Sequence, residues 1–557
     1  VKMRSLRRLQ CFAVIVALLA GLSAIAPAPA CATVDVTWVG GSGVWTASAS
    51  WDPYLGSSKY PYDGVNGSNY NVYIGASGDV GADTSVYIDN LSIASGGSLT
   101  VENGQSFWLR IGTDSGVVTN DGTILLNSTG SGTYFLSAGG ALTGSGVLEM
   151  SNDSNNHILT GANYASLSNG NNHTIEGSGS IGSNSNATTF TNLGVVLATQ
   201  STPLAIYSTV NNSGSMMASG GELYFNGATV NNAGGTIEGL GSSWATLANT
   251  TVTGGELDGN VDTASGTSAT LKSVTVNGTY VANDGSSTYL GGTTITNNGT
   301  ILVESMGSGT YFAGNGGTLT GSGVLHMGDN SNNYVLRGVN YASLTNDAAH
   351  TIEGSGTIGS NGNATTLYNF GTIIADQSTP LNVESTVVNT GVMAADGGEL
   401  YFNGATVNNA GGTIEGLGSS WATLANTTVT GGELDGNVDT ASGSSARLKS
   451  LAINGNYVAN NGSATNLAGT TITNNGTISV ESTGSSTYFA QDGGTLTGSG
   501  VLHLSDNSNN YVLRGSNYAN LTNGAAHTIE GSGTIGSSGN ATTLYNFGTI
   551  IADQSTP

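Results

Sequence analysis

Two carboxylate pairs are the first candidates for chemistry: Glu433 with Asp435, and Glu256 with Asp258. Residues i and i+2 of a strand point to one side of a sheet, so each pair can converge on a point outside it. Paired carboxylates are the equipment of glycosidic bond cleavage, and elimination from a sugar acid adds a basic residue. The basic residues at a recurring position are Arg337 and Arg514, but the matching residue earlier in the chain is Thr160. A catalytic base would not be dropped from one copy, and carboxylates outside a repeat protein ordinarily form a solvated surface. The sequence therefore favours no catalytic residue. His157, His326, His350, His503 and His527 follow no H-x-x-x-H or H-x-H metal spacing. No G-x-S-x-G, P-loop or nucleophile with a partner is found.

Three loops are rich in oxygen: N-D-S-N-N from Asn152, and D-N-S-N-N from Asp329 and from Asp506. Asp153, Asp329 and Asp506 are the candidate Ca²⁺ ligands. The loops lack the glycine and glutamate of an EF-hand, and Asx turns have the same composition. The expectation is no cofactor and no metal, with Ca²⁺ the one ion for which donors were found. Trp244 and Trp421 each stand in G-S-S-W-A-T-L, between a corner and a strand. One per copy, they would line up as two exposed aromatic sites and are the candidates for ligand contact. Trp38, Trp45 and Trp51 read instead as packing at the start of the molecule.

Any such site must be positioned by short strands on a repeating frame. Asn369, Asn389 and Asn409 are spaced by 20, and each is followed by glycine and a short apolar run. One turn signal and one or two strands every 20 to 23 residues is a solenoid pattern. A rung this short cannot bury its own apolar side, so it stacks on its neighbours ~4.8 Å away. Asparagine at a repeated corner can bond to its equivalents above and below, and these three residues are expected to form such a ladder. The fold class is all-β, a right-handed parallel β-helix with rungs of about 20 residues.

A longer period overlies the short one. Gly122, Gly299 and Gly476 are separated by 177 residues, as are Trp244 and Trp421. Glu222 to Gly266 recurs letter for letter as Glu399 to Gly443. A third copy begins at Gly476 and stops at Pro557, the equivalent of Pro380, so the repeat region is expected to be truncated. The organisation reads as a signal peptide over 1–32, a Trp/Tyr-rich cap with the first rungs over 33–97, and a β-helix over 98–557.

Lys2, Arg4, Arg7 and Arg8 precede an apolar stretch from Cys11 to Ile25, and Ala30-Cys31-Ala32 is an A-x-A cleavage site. The mature chain is expected to start at Thr33. Ala28 stands where a lipoprotein signal has leucine. Both cysteines, Cys11 and Cys31, fall in this segment, which excludes a disulfide scaffold in the mature chain. Of 11 Lys+Arg, four lie in the signal, leaving seven against 35 Asp+Glu, a net charge of −28. Nucleic acid is excluded as a partner, because phosphate binding needs clustered Lys and Arg. No later segment is apolar enough for a transmembrane helix.

W-V-G-G-S-G-V-W-T-A-S-A-S-W after a signal peptide, followed by N-x-G-T-I and G-G-x-L rungs, resembles secreted bacterial β-helix proteins. That group spans autotransporter passengers, filamentous-haemagglutinin-like adhesins and extracellular proteins with a sorting tail. The resemblance implies a secreted or cell-surface structural or adhesive protein, with extracellular polysaccharide or cell-surface ligands as partners. The alternative it leaves open is a carbohydrate-active β-helix enzyme, a polysaccharide lyase or glycoside hydrolase.

Overall fold

Apolar and polar residues alternate over three or four positions between Gly, Asn and Ser corners, which makes strands that bury every second side chain. The computed structural model describes residues 32–110, 116–161, 163–515 and 517–557. The stretch expected to be a signal peptide, apart from Ala32, and both cysteines lie outside the described residues. Among those described, 68 strands and two short 3₁₀ segments, Ser48–Ser50 and Val65–Gly67, are the only regular elements. The strands stack into a parallel β-solenoid of about 22 turns, with a rung of roughly 22 residues. No helix among the described residues is long and apolar enough to cross a membrane.

Three ladders of parallel strands form three faces. Face one starts with Ala32–Trp38 on Ser68–Ile74, face two carries Ser98–Val101 on Thr123–Leu126, and face three carries Ser106–Leu109 on Thr133–Phe135. Inside, like stacks on like. Ile352, Ile373, Met393, Ile414 and Leu434 are register partners over five successive turns, each at most 1% exposed. Burying each such side chain contributes about 1.5–3 kcal/mol.

The start of the stack is closed by the three tryptophans. Trp38 and Trp45 both pack edge-on against Trp51, with ring centroids 4.9 and 4.8 Å apart, and Trp45 meets Phe107 at 5.7 Å. Each indole N–H donates to a backbone oxygen: Trp38 to Gly41, Trp45 to Pro61 and Trp51 to Trp45. Buried indoles with satisfied N–H groups are packing elements.

The 177-residue period and the three-strand turn do not match. From Thr133–Phe135 to its equivalent Thr310–Phe312 there are 24 strand steps, and Glu256–Thr263 fills two positions at once. Its first half pairs with Thr236–Gly239 on face two, and its second half with Ala245–Ala248 on face three. Gly259 makes the bend between them at φ +57°, where an added Cβ would lie 2.0 Å from the Gly239 carbonyl oxygen. A copy therefore holds twenty-five strand positions, which is eight turns of three and one over. Each copy is rotated a third of the way round the axis relative to the last. Thr133–Phe135 lies on face three, Thr310–Phe312 on face one and Thr487–Phe489 on face two.

Candidate functional site

The corner asparagines set the frame of every site. Asn346 Nδ2 donates to Asn369 Oδ1 at 2.8 Å, Asn369 to Asn389 at 2.8 Å and Asn389 to Asn409 at 2.7 Å. All four are fully buried. The amide orientations are pinned by the backbone, because Nδ2 of Asn369 and of Asn389 also donates to the carbonyls of Val392 and Thr413. The first copy builds the same ladder from Asn169, Asn192, Asn212 and Asn232.

Histidine extends the ladder, a role the sequence spacing did not reveal. The rung strand Gly317–Thr320 offers no asparagine between Asn297 and Asn346. His350 bridges that gap. Its Nδ1 lies 2.7 Å from Asn346 Oδ1 and its Nε2 3.1 Å from Asn297 Nδ2. An amide oxygen only accepts and an amide nitrogen only donates, so Nδ1 carries the proton and Nε2 accepts. His173 and His527 repeat the bridge in the other copies. Burial pushes all three imidazoles down to about 4, opposed for His350 by the nearby Asp347 carboxylate.

On the outside, the strand pairs Thr133–Phe135 with Asn156–Ile158 and their equivalents carry stacked rings. Tyr134 stacks on His157 with centroids 5.0 Å apart, Tyr311 on Tyr334 at 5.0 Å, and Tyr488 on Tyr511 at 5.3 Å. Arg337 and Arg514 do not face the carboxylate pairs. Their guanidinium carbons lie over the rings of Tyr334 and Tyr511, 4.2 and 4.0 Å from the centroids. In the first copy, where Thr160 replaces arginine, Tyr134, His157, Ser183, Asn184 and Tyr207 line an open groove of about 310 Å³. Aromatic walls flanked by hydroxyl and amide groups suit the ring faces and hydroxyls of sugars. The same neighbourhood holds the most exposed rings of each copy. Tyr164, Tyr341 and Tyr518 are 84, 82 and 77% exposed, all held at φ near +63°. None of these tyrosines was singled out from sequence, although their 177-residue recurrence could have flagged them.

The remaining predicted residues are placed as follows. Trp244 and Trp421 are half-buried, and they do not line up in one row: they precede strands on face three and face one, because of the third-turn rotation. Glu433 is exposed and Asp435 half-buried on face three, with Asp435 in register with Glu415. Arg514 follows the strand Asn510–Val512 on face two, so it does not converge with them. Asp258 accepts from Asn277 Nδ2 at 2.9 Å.

The acidic loops act as clamps between turns. Asp329 accepts from Ser378 Oγ at 2.6 Å and Thr379 N at 2.9 Å, and Asp506 accepts likewise from Ser555 and Thr556. The serine hydroxyls, then the backbone, hold both carboxyls below the usual range, Asp506 at about 2. Asp153 accepts from the backbone N–H and the side chain of Asn155.

Compared with known proteins, the chain matches no family model, no curated protein and no solved structure.

Proposed function

We propose that the chain is a secreted or cell-surface structural and adhesive solenoid that binds extracellular polysaccharide weakly at repeated sites. The observation that supports this reading is the threefold recurrence of a stacked aromatic pair, twice covered by arginine, on three different faces of one rod. Consecutive aromatic pairs are separated by about eight turns, roughly 40 Å at ~4.8 Å per turn. A flat surface reaches one such pair at a time. A polymer mesh surrounding the rod reaches all of them, and weak contacts then combine into avidity. The basic-then-apolar pattern of the first 32 residues, read as an export signal, and the strongly acidic composition fit an extracellular setting.

The test is binding to a panel of neutral and acidic polysaccharides. Tyr134→Ala, Tyr334→Ala and Tyr511→Ala should each weaken binding by a few-fold, and the triple variant by on the order of a hundredfold, as lost avidity requires. A triple variant that binds like the parent would refute the reading. The enzyme alternative rests on one observation: Asp435 Oδ1 is buried without a hydrogen-bond partner beside Glu415. It predicts release of reducing ends from a polysaccharide, abolished by Asp435→Asn.

A further inference from the structure

A second group of side chains converges away from the aromatic pairs. His326 and Glu353 are register partners on adjacent strands of face three, and Asp376 lies just beyond the strand Thr372–Ala375 on the next turn. His326 Nδ1 is 3.2 Å from Glu353 Oε1. One ligand-type atom from each of the three residues lies within 4.8 Å of the other two. All three side chains are half-buried, so they are held in place yet reachable from solvent. Asp376 Oδ1 is buried and has no hydrogen-bond partner. A desolvated carboxylate oxygen without a donor is costly, and a cation would satisfy it.

We propose that His326, Glu353 and Asp376 form a binding site for a first-row divalent transition cation. One imidazole and two carboxylates suit such an ion better than Ca²⁺, which takes six to eight oxygens. Three protein ligands leave at least one coordination position for water or for a ligand oxygen. The spacing of 27 and 23 residues is a spacing of successive turns, which is why no linear metal motif announces it. The first copy supplies an internal contrast: the matching residues are Glu149, Glu176 and Thr199, which lack both the imidazole and the third ligand. The third copy repeats the pair, with His503 Nδ1 3.4 Å from Glu530 Oε1 and Asp553 at the third position.

The test uses the full chain carrying His503→Ala, which silences the equivalent trio of the third copy, stripped with chelator and titrated with Zn²⁺ by calorimetry, with Co²⁺ absorption as a second readout. The expected result is a saturable site that His326→Ala and Asp376→Asn each weaken at least tenfold. Both substitutions should also lose the Co²⁺ bands assigned to that site, while Glu149→Gln changes neither readout. These positions are outside the apolar core, and circular dichroism of the metal-free variants checks that they fold. Absence of saturable Zn²⁺ binding, or binding that survives both substitutions as adsorption to the acidic surface would, overturns the proposal.

Discussion

The corner ladder is built in two ways within one copy. From Asn369 to Asn409 each turn supplies its own amide, and every bond joins residues 20 apart. From Asn297 to Asn346 one turn has no asparagine, and the His350 ring spans the gap. The two regions do the same mechanical work with different chemistry. An amide does not titrate, whereas an imidazole in that position holds the chain together only while Nε2 is free to accept. The comparison teaches that, between pH 7 and pH 4, the ladder's response to acid is set by its histidine turns and not by its amide turns.

Acid should break the histidine region first and with the largest effect. For His173, His350 and His527 the folded value, about 4, lies below the ordinary 6.5. The unfolded chain therefore takes up protons first as pH falls. The stability these rings confer is complete above pH 6.5 and is lost progressively as pH falls towards 4. The loss is on the order of 3 kcal/mol per ring. Thermal melts from pH 7 to pH 4 measure it, and His350→Gln should flatten the pH dependence of that segment.

Breaking the amide region at one residue should cost less than protonating all three rings together and should not depend on pH in this range. Asn389→Leu roughly keeps the volume but orphans the groups that Asn369 and Asn409 offer it, at about 1–3 kcal/mol each. Because turns interact mainly with their neighbours, the damage should be local. Segment-resolved hydrogen exchange should show lost protection from about Ile373 to Ile414, with the tryptophan cap unchanged.

The amide region was legible in the sequence because its bonds join residues at one constant spacing. The histidine bridges were not, since His350 and Asn297 are 53 residues apart and only the stack brings them together. The third-turn rotation was hidden for a related reason. It depends on Glu256–Thr263 serving two faces, which reads in sequence as an ordinary strand. Trp244 and Trp421 were therefore expected in one row, although the 177-residue repeat itself was plain. Arg337 stood out as a lone cation, but its seat on Tyr334 requires knowing that strand and corner fold back on each other. The sequence carries periodicity well, and it carries contacts between unlike residues on different turns poorly.

A smaller effect would sharpen the contrast between outside and inside. Glu415 is half-buried, and burial, then Asp435 and Asp396, push its carboxyl upward. Removing its charge by Glu415→Gln should leave the melting temperature at pH 7 unchanged or slightly raised, by well under 1 kcal/mol equivalent. A marked loss of stability would mean that this column of carboxylates is bonded in a way the register does not predict.

The most direct test of the ladder is nitrogen NMR of the imidazoles during a pH titration of the full chain. The account predicts that His173, His350 and His527 hold the proton on Nδ1, leave Nε2 as an acceptor, and stay neutral until about pH 4. Rings that titrate near 6.5, or that carry the neutral proton on Nε2, would contradict it, because no asparagine amide could then donate across the gap.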